Sequence, residues 1–183
     1  DARDLAIQYA HDQRQRFLDE LVAFSSIQSV STDPERAGDV QKNANWLVKR
    51  LDSLGLENIK IYPTPGHPVV YAEALSAGPE APTVLVYGHY DVQPAEPLDK
   101  WDTSPFEPTV RGENLYARGA SDMKGQVAAS INAAEAIIRT SQLPVNLKFI
   151  IEGEEEIGSP NLPAFIEEHK DMLACDFALN PDT

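Results

Sequence analysis

The chain has 183 residues, of which 42% are hydrophobic, and this is enough for one domain with a buried core. Its formal net charge of −14 at pH 7 repels phosphate backbones and anionic lipids, which argues against nucleic acids and membrane surfaces as partners. A single cysteine, Cys175, excludes an intramolecular disulfide framework. No apolar run approaches the roughly 20 residues of a membrane-spanning helix, and no signal peptide is recognised, so a cytoplasmic location is expected.

The first half of the sequence combines two predicted helices with two short strands. Apolar residues at helical spacing predict one helix over residues 2–24 and another over residues 34–54. Residues 56–62 and 69–75 are strand candidates, and a turn rich in proline separates them. His67 in that turn is interpreted as a surface residue, which lies near a functional site only if the turn folds back.

The second half begins with an apolar, β-branched run at residues 83–88, which predicts a buried strand that leads directly to His89. Residues 91–118 show little periodicity, and a loop of this length inside a compact domain is usually functional. Beyond it the pattern predicts, in order, a helix around residues 127–138, a strand over 145–151, a helix over 161–173 and a strand over 175–179.

This alternation of strands and helices predicts an α/β fold, a three-layer sandwich in which helices flank a largely parallel, mixed sheet. Right-handed crossovers bring the carboxyl ends of parallel strands to one edge of the sheet. The polar residues that follow the strands are therefore expected to converge there. They are His89, the acidic run at residues 154–156 and Asp182, and Asp122 precedes the helix between two of the strands.

Carboxylates that converge on one imidazole favour a metal centre. Like charges about 4–6 Å apart raise each other's pKa, and a divalent cation relieves that repulsion. Imidazole and carboxylate ligands suit zinc, with manganese or cobalt as substitutes. Asp122 is the candidate to bridge two ions, although a helix cap or a helix-dipole partner is the alternative interpretation. Asp91 follows His89 by two residues, where a carboxylate can fix the imidazole ring.

Three motifs, in this order, resemble the di-zinc metallopeptidases of the carnosinase, aminoacylase and succinyl-diaminopimelate desuccinylase type. They are residues 87–94 (YGHYDVQP), 115–125 (LYARGASDMKG) and 152–159 (EGEEEIGS), and Asp182 follows them. The first motif is most similar to the carnosinase-like dipeptidase branch. The resemblance covers essentially the whole chain, and Ala117 stands where a glycine is common.

The resemblance implies a pair of zinc ions and assigns their ligands. His89 and Asp182 would hold one zinc, Glu156 would hold the second, and Asp122 would bridge both. The residues alone leave the register within the acidic run open, and only the resemblance assigns it. A cis peptide bond between Asp122 and Met123 is also implied.

The resemblance further implies a hydrolase in which Glu155 is the general base and Asp91 orients the zinc ligand His89. The expected reaction is zinc-dependent hydrolysis of an amide bond in dipeptides or short peptides, by a dipeptidase or a carboxypeptidase-like enzyme. An N-acyl-amino-acid deacylase or desuccinylase with the same site is the alternative, and a non-catalytic relative is a further one.

The family pattern extends beyond this sequence. In the family the second zinc takes another histidine from a motif far toward the C-terminus, whereas no histidine follows His169 here. Residues 1–183 are therefore expected to be the N-terminal part of the catalytic domain, without the lid and dimerisation domain and without the C-terminal remainder. Homodimerisation through that lid and inactivity of the isolated fragment are expected as well.

Overall fold

A five-stranded mixed sheet forms the centre of the computed structural model, which describes residues 1–182. The strands of the chain are β1 (Glu57–Tyr62), β2 (Val69–Ala74), β3 (Thr83–His89), β4 (Thr109–Arg111), β5 (Asn114–Tyr116), β6 (Asn146–Glu152) and β7 (Phe177–Leu179). The central sheet has the order β1-β2-β6-β3-β7, and β4 and β5 form a separate hairpin in the long loop. Only β2 runs against the other four strands of the central sheet, which confirms the predicted, largely parallel mixed sheet.

Helices cover both faces of this sheet. They are α1 (Ala2–Asp12), α2 (Arg14–Ser25), α3 (Ala37–Ser53), α4 (Lys124–Thr140), α5 (Leu162–Glu168) and α6 (Lys170–Leu173). Apolar residues of α3 and α4 pack in one cluster with side chains from one face of the sheet, among them Phe149 and Ile151. On β6, Ile150 points to the opposite face and packs with Phe165 of α5 and Leu173 of α6. The predicted three-layer arrangement is therefore confirmed.

Two helices that the sequence predicts as continuous are divided in the structure. The helix predicted over residues 2–24 breaks at Gln13, between α1 and α2. Residues 11–16 (HDQRQR) are all polar and interrupt the apolar stripe of the predicted helix, and α1 packs against α4 as a separate segment. The helix predicted over residues 161–173 breaks in the same way at His169, whose ring packs against the rings of Tyr62 and Phe165.

A buried charge network joins the outer helices to α4. The Glu135 carboxylate on α4 is hydrogen-bonded by Arg50 from α3, by Arg16 from α2 and, at 2.7 Å, by the hydroxyl of Tyr9 from α1. The side chains of Glu135 and Arg50 are only 5% and 7% exposed. Within residues 1–182, no helix combines the length and the apolar character that crossing a membrane requires.

Substitution of Glu135 by alanine is expected to lower the free energy of unfolding by about 3 kcal/mol, because the buried Arg50 loses one of its two carboxylate partners and keeps only Glu20, at 2.8 Å. Urea denaturation of the two proteins measures the difference. The control is Glu167→Ala, which removes an exposed ion pair with Lys170 at 3.0 Å and should leave the unfolding curve unchanged. Equal losses for the two variants would contradict a stabilising role of the buried network.

Candidate metal centre

Three adjacent strands bring the predicted polar residues to one edge of the sheet. β3 lies between β6 and β7, and its last residue, His89, pairs with Glu152, the last residue of β6. The acidic run at residues 154–156 follows β6 directly, and Asp182 lies three residues beyond the end of β7. The edge is therefore built by the parallel part of the sheet, where ligands of open α/β sheets commonly bind.

His89 is completely buried at the centre of this cluster. Its Nδ1 lies 3.0 Å from the main-chain carbonyl oxygen of Asp91, which can only accept a hydrogen bond. In a neutral ring this contact places the proton on Nδ1 and leaves a lone pair on Nε2. Nε2 lies 3.2 Å from Oδ1 of Asp122 and 3.6 Å from Oδ2 of Asp182, so it faces carboxylate oxygens.

Two groups of side chains around His89 could each hold a metal ion. Within each group, the donor atoms all lie within 4.8 Å of one another. The first consists of His89, Asp122 and Asp182, and the second of His89, Glu155 and Glu156. The first matches the residues assigned above to one zinc and to the bridge. The second includes Glu155, for which the resemblance implies the role of base. The structure thus brings these five residues together, and their individual roles stay predictions.

Asp91 connects the end of β3 to the acidic run. Its buried carboxylate accepts hydrogen bonds from the main-chain N–H groups of Glu155, at 3.2 Å, and Glu156, at 3.1 Å. The sequence predicts that Asp91 orients His89. The shortest contact between the two residues uses the main-chain carbonyl of Asp91, whereas its carboxylate oxygen Oδ1 lies 3.4 Å from Nδ1. Asp91 therefore contacts both the imidazole of His89 and the main chain of the acidic run.

The electrostatics of the centre show an excess of negative charge. Burial alone would lower the pKa of His89, but the hydrogen bond and the charge of Asp91, together with the charge of Glu155, raise it to about 9. Burial raises the pKa of Glu155, and the proton on His89 opposes this shift while the Asp182 carboxylate adds to it. Burial also raises the pKa of Glu156. A divalent cation would neutralise this excess, and an imidazole with several carboxylates is a donor set that fits zinc.

Asp122 reaches the centre from a turn immediately before α4. The peptide bond between Asp122 and Met123 is cis, as the resemblance implies. The start of α4 has no side-chain cap, so the alternative interpretation of Asp122 as a helix cap is wrong. Behind the turn, the buried Lys124 donates hydrogen bonds to the carbonyl oxygens of Phe24, at 3.1 Å, and Ile27, at 2.8 Å. These bonds anchor the start of α4 to the end of α2.

The three glutamates of the acidic run do not all face the candidate metal centre. Glu154 is buried and belongs to neither of the two donor groups. It accepts hydrogen bonds from the main-chain N–H of His67 and from the Asn161 amide, both at 2.9 Å. The turn that contains His67 therefore folds back onto the acidic run, and the His67 ring lies 3.0 Å from the carbonyl oxygen of Ser31. Sequence reasoning also missed Gln93, which bonds Glu156 and whose only signal is its position inside the YGHYDVQP motif.

The fold and the site together define an α/β domain with a histidine and acidic side chains clustered at the ends of three adjacent strands. The family described as Peptidase family M20/M25/M40 matches residues 85–181. The chain belongs to this family, which confirms the resemblance seen in the motifs. A family of metallopeptidases implies a metal at this site, in agreement with the donor set.

Individual relatives agree with that assignment. The Beta-Ala-His dipeptidase of Rattus norvegicus is 38% identical over 182 residues, which cover 90% of this chain and 36% of that protein. Human carnosine dipeptidase 1 superposes with a TM-score of 0.92 at 34% identity, over 98% of this chain and 41% of the other. The di-peptidase Dug1p of Saccharomyces cerevisiae gives a TM-score of 0.91 at 30% identity, with the same two coverages. The chain spans 21% to 36% of the length of the first curated relatives that it matches.

Gly125, the last residue of the 115–125 motif, is expected to control the position of Asp122. A Cβ atom at Gly125 would lie 2.2 Å from the main-chain oxygen of Ala120, which belongs to the same turn as Asp122. Gly125→Ala should therefore displace that turn, lower the free energy of unfolding by about 1–3 kcal/mol and weaken metal binding. Chemical denaturation and a metal titration measure the two effects.

Gly38 in the first turn of α3 provides the matched control. A Cβ atom there meets nothing within 4 Å, so Gly38→Ala should stabilise the protein by about 0.4–1 kcal/mol and leave metal binding unchanged. If the two alanine variants behave alike, the close approach at Gly125 does not determine where Asp122 lies.

Proposed function

We propose that the protein that contains this chain is a metal-dependent dipeptidase, which hydrolyses the amide bond of dipeptides or other short peptides. The observation that carries this proposal is the convergence of carboxylates on the buried His89 at the carboxyl edge of the sheet. Membership of a peptidase family supports it, as do relatives whose names identify them as dipeptidases. The zinc ions, the cytoplasmic location and the homodimer stay predictions from the sequence.

The proposed ligands divide between two zinc ions, for which manganese or cobalt could substitute. His89 and Asp182 would hold one ion, Glu156 would hold the other, and Asp122 would bridge the two. When bound, the ions supply Lewis-acid activation of a water molecule and of the substrate carbonyl. The contact between Nδ1 of His89 and the Asp91 carbonyl supports this assignment, because it leaves Nε2 for the metal side of the ring.

Glu155 is the proposed general base. Its side chain is 38% exposed, and its Oε2 lies 3.7 Å from Nε2 of His89, so the carboxylate borders the same open space as the ligands. In that position it accepts the proton of the attacking water and then donates it to the nitrogen of the leaving amine as the C–N bond breaks. The hydrogen bond from its main-chain N–H to Asp91 holds this part of the chain in place.

The test of this role is Glu155→Gln in the native, full-length protein. The amide keeps the size of the side chain but cannot take up a proton, so dipeptide turnover should fall by roughly 10²–10⁴-fold. Metal content, measured by elemental analysis, should stay unchanged. Glu168→Gln, an exposed position at the end of α5, is the control and should retain full activity and full metal content.

Three outcomes would contradict the proposal in different ways. Near-normal turnover by the Glu155→Gln variant would show that Glu155 is not the general base. Loss of metal together with turnover would identify Glu155 as a ligand, in agreement with its place in the second donor group. If the wild-type protein cleaves N-acyl amino acids and leaves dipeptides intact, the enzyme is a deacylase that uses the same site.

A further inference from the structure

Gln93 contacts the centre, yet none of the roles assigned above uses it. Its Nε2 lies 2.7 Å from Oε2 of Glu156 and 3.3 Å from the main-chain oxygen of the same residue. The side chain is exposed, and an exposed glutamine gains little by holding a single rotamer. Both hydrogen bonds nevertheless go to one residue, a proposed metal ligand.

The main chain on each side of Gln93 is fixed by other contacts. On one side, Val92 is completely buried, and its N–H donates to the carbonyl oxygen of Ser29 at 2.9 Å. On the other side, the carbonyl oxygen of Pro94 accepts a hydrogen bond from Nη2 of Arg118 at 3.0 Å. The starting point of the Gln93 side chain is therefore set by the fold, and its amide is presented to Glu156 from an anchored segment.

Glu156 is held from two directions. Its main-chain N–H donates to Oδ2 of Asp91 at 3.1 Å, and its carboxylate accepts from Gln93. Each carboxylate oxygen has two lone-pair positions. The bond from Gln93 occupies one position on Oε2, and it leaves Oε1 and the second position on Oε2 for a cation.

We infer that Gln93 is a positioning residue, which holds the carboxylate of Glu156 in the orientation required to bind a metal ion. This inference rests on the proposed function, because it takes Glu156 as a metal ligand. Hydrogen bonds that orient ligands typically change metal affinity by about 10–100-fold when they are removed. The effect should be limited to the ion that Glu156 binds.

The test compares Gln93→Met with the wild-type, full-length protein. Methionine keeps an unbranched side chain of similar length but has no N–H donor. Co²⁺ is titrated into the metal-free proteins, with calorimetry for affinity and the visible absorption spectrum for ligand geometry. We expect one Co²⁺ equivalent to bind about 10–100-fold more weakly and to show a changed spectrum, while the other equivalent is unaffected. The melting temperature of the metal-free protein should not change.

Gln15→Met is the matched control. Gln15 on α2 makes the same kind of exposed hydrogen bond, to Oδ1 of Asp19 at 2.9 Å, but within one helix and with a carboxylate outside both donor groups. Its replacement should leave the affinities, the spectrum and the melting temperature as in the wild type.

The possible results separate the two proposals. If the wild-type protein binds Co²⁺ and Gln93→Met binds it with the same affinities and spectrum, the positioning role is wrong and the proposed function stands. A lower melting temperature of metal-free Gln93→Met, with equally weakened binding of both equivalents, shows a general structural role and also overturns the inference. If the wild-type protein binds no divalent ion, the proposed metal centre fails, and the inference fails with it.

Discussion

The buried carboxylate of Asp91 is the interaction on which the geometry of the centre depends. It binds the main-chain N–H groups of Glu155 and Glu156, and it lies beside the imidazole of His89. The end of β3 and the turn after β6 are thereby held in one arrangement. Loss of the Asp91 carboxylate would leave two main-chain N–H groups of this half-buried turn without their acceptor, so the turn and the histidine are constrained together.

The charges around Glu135 and those around His89 are balanced in opposite ways. Glu135 is neutralised by Arg16 and Arg50, and the resulting network holds helices together. At the edge of the sheet, several carboxylates instead surround the one imidazole of His89, whose pKa is raised to about 9. At the first site ion pairs balance the charges, whereas at the second site a bound cation would relieve the repulsion between the carboxylates. This difference is the physical basis for interpreting the second site as functional.

Much of the fold could be predicted from local sequence. The β-branched run before His89 forms β3, and the small and apolar residues after Gly125 form α4, because β-branched runs favour strands and apolar residues three and four positions apart favour helices. The breaks at Gln13 and His169 could not be predicted from helical spacing. They depend on where the helices dock, and at His169 on contacts with the ring of Tyr62 on a distant strand.

The sequence by itself determined which strand ends meet, because the order of strands and motifs places His89, the acidic run and Asp182 at the same edge of a parallel sheet. Only the tertiary structure decided what each polar group contacts. It turned Glu154 toward the turn of His67, and it brought the amide of Gln93 to Glu156. Such contacts join residues more than 60 positions apart through loops, whose conformation follows from the packing of the whole domain and not from local periodicity.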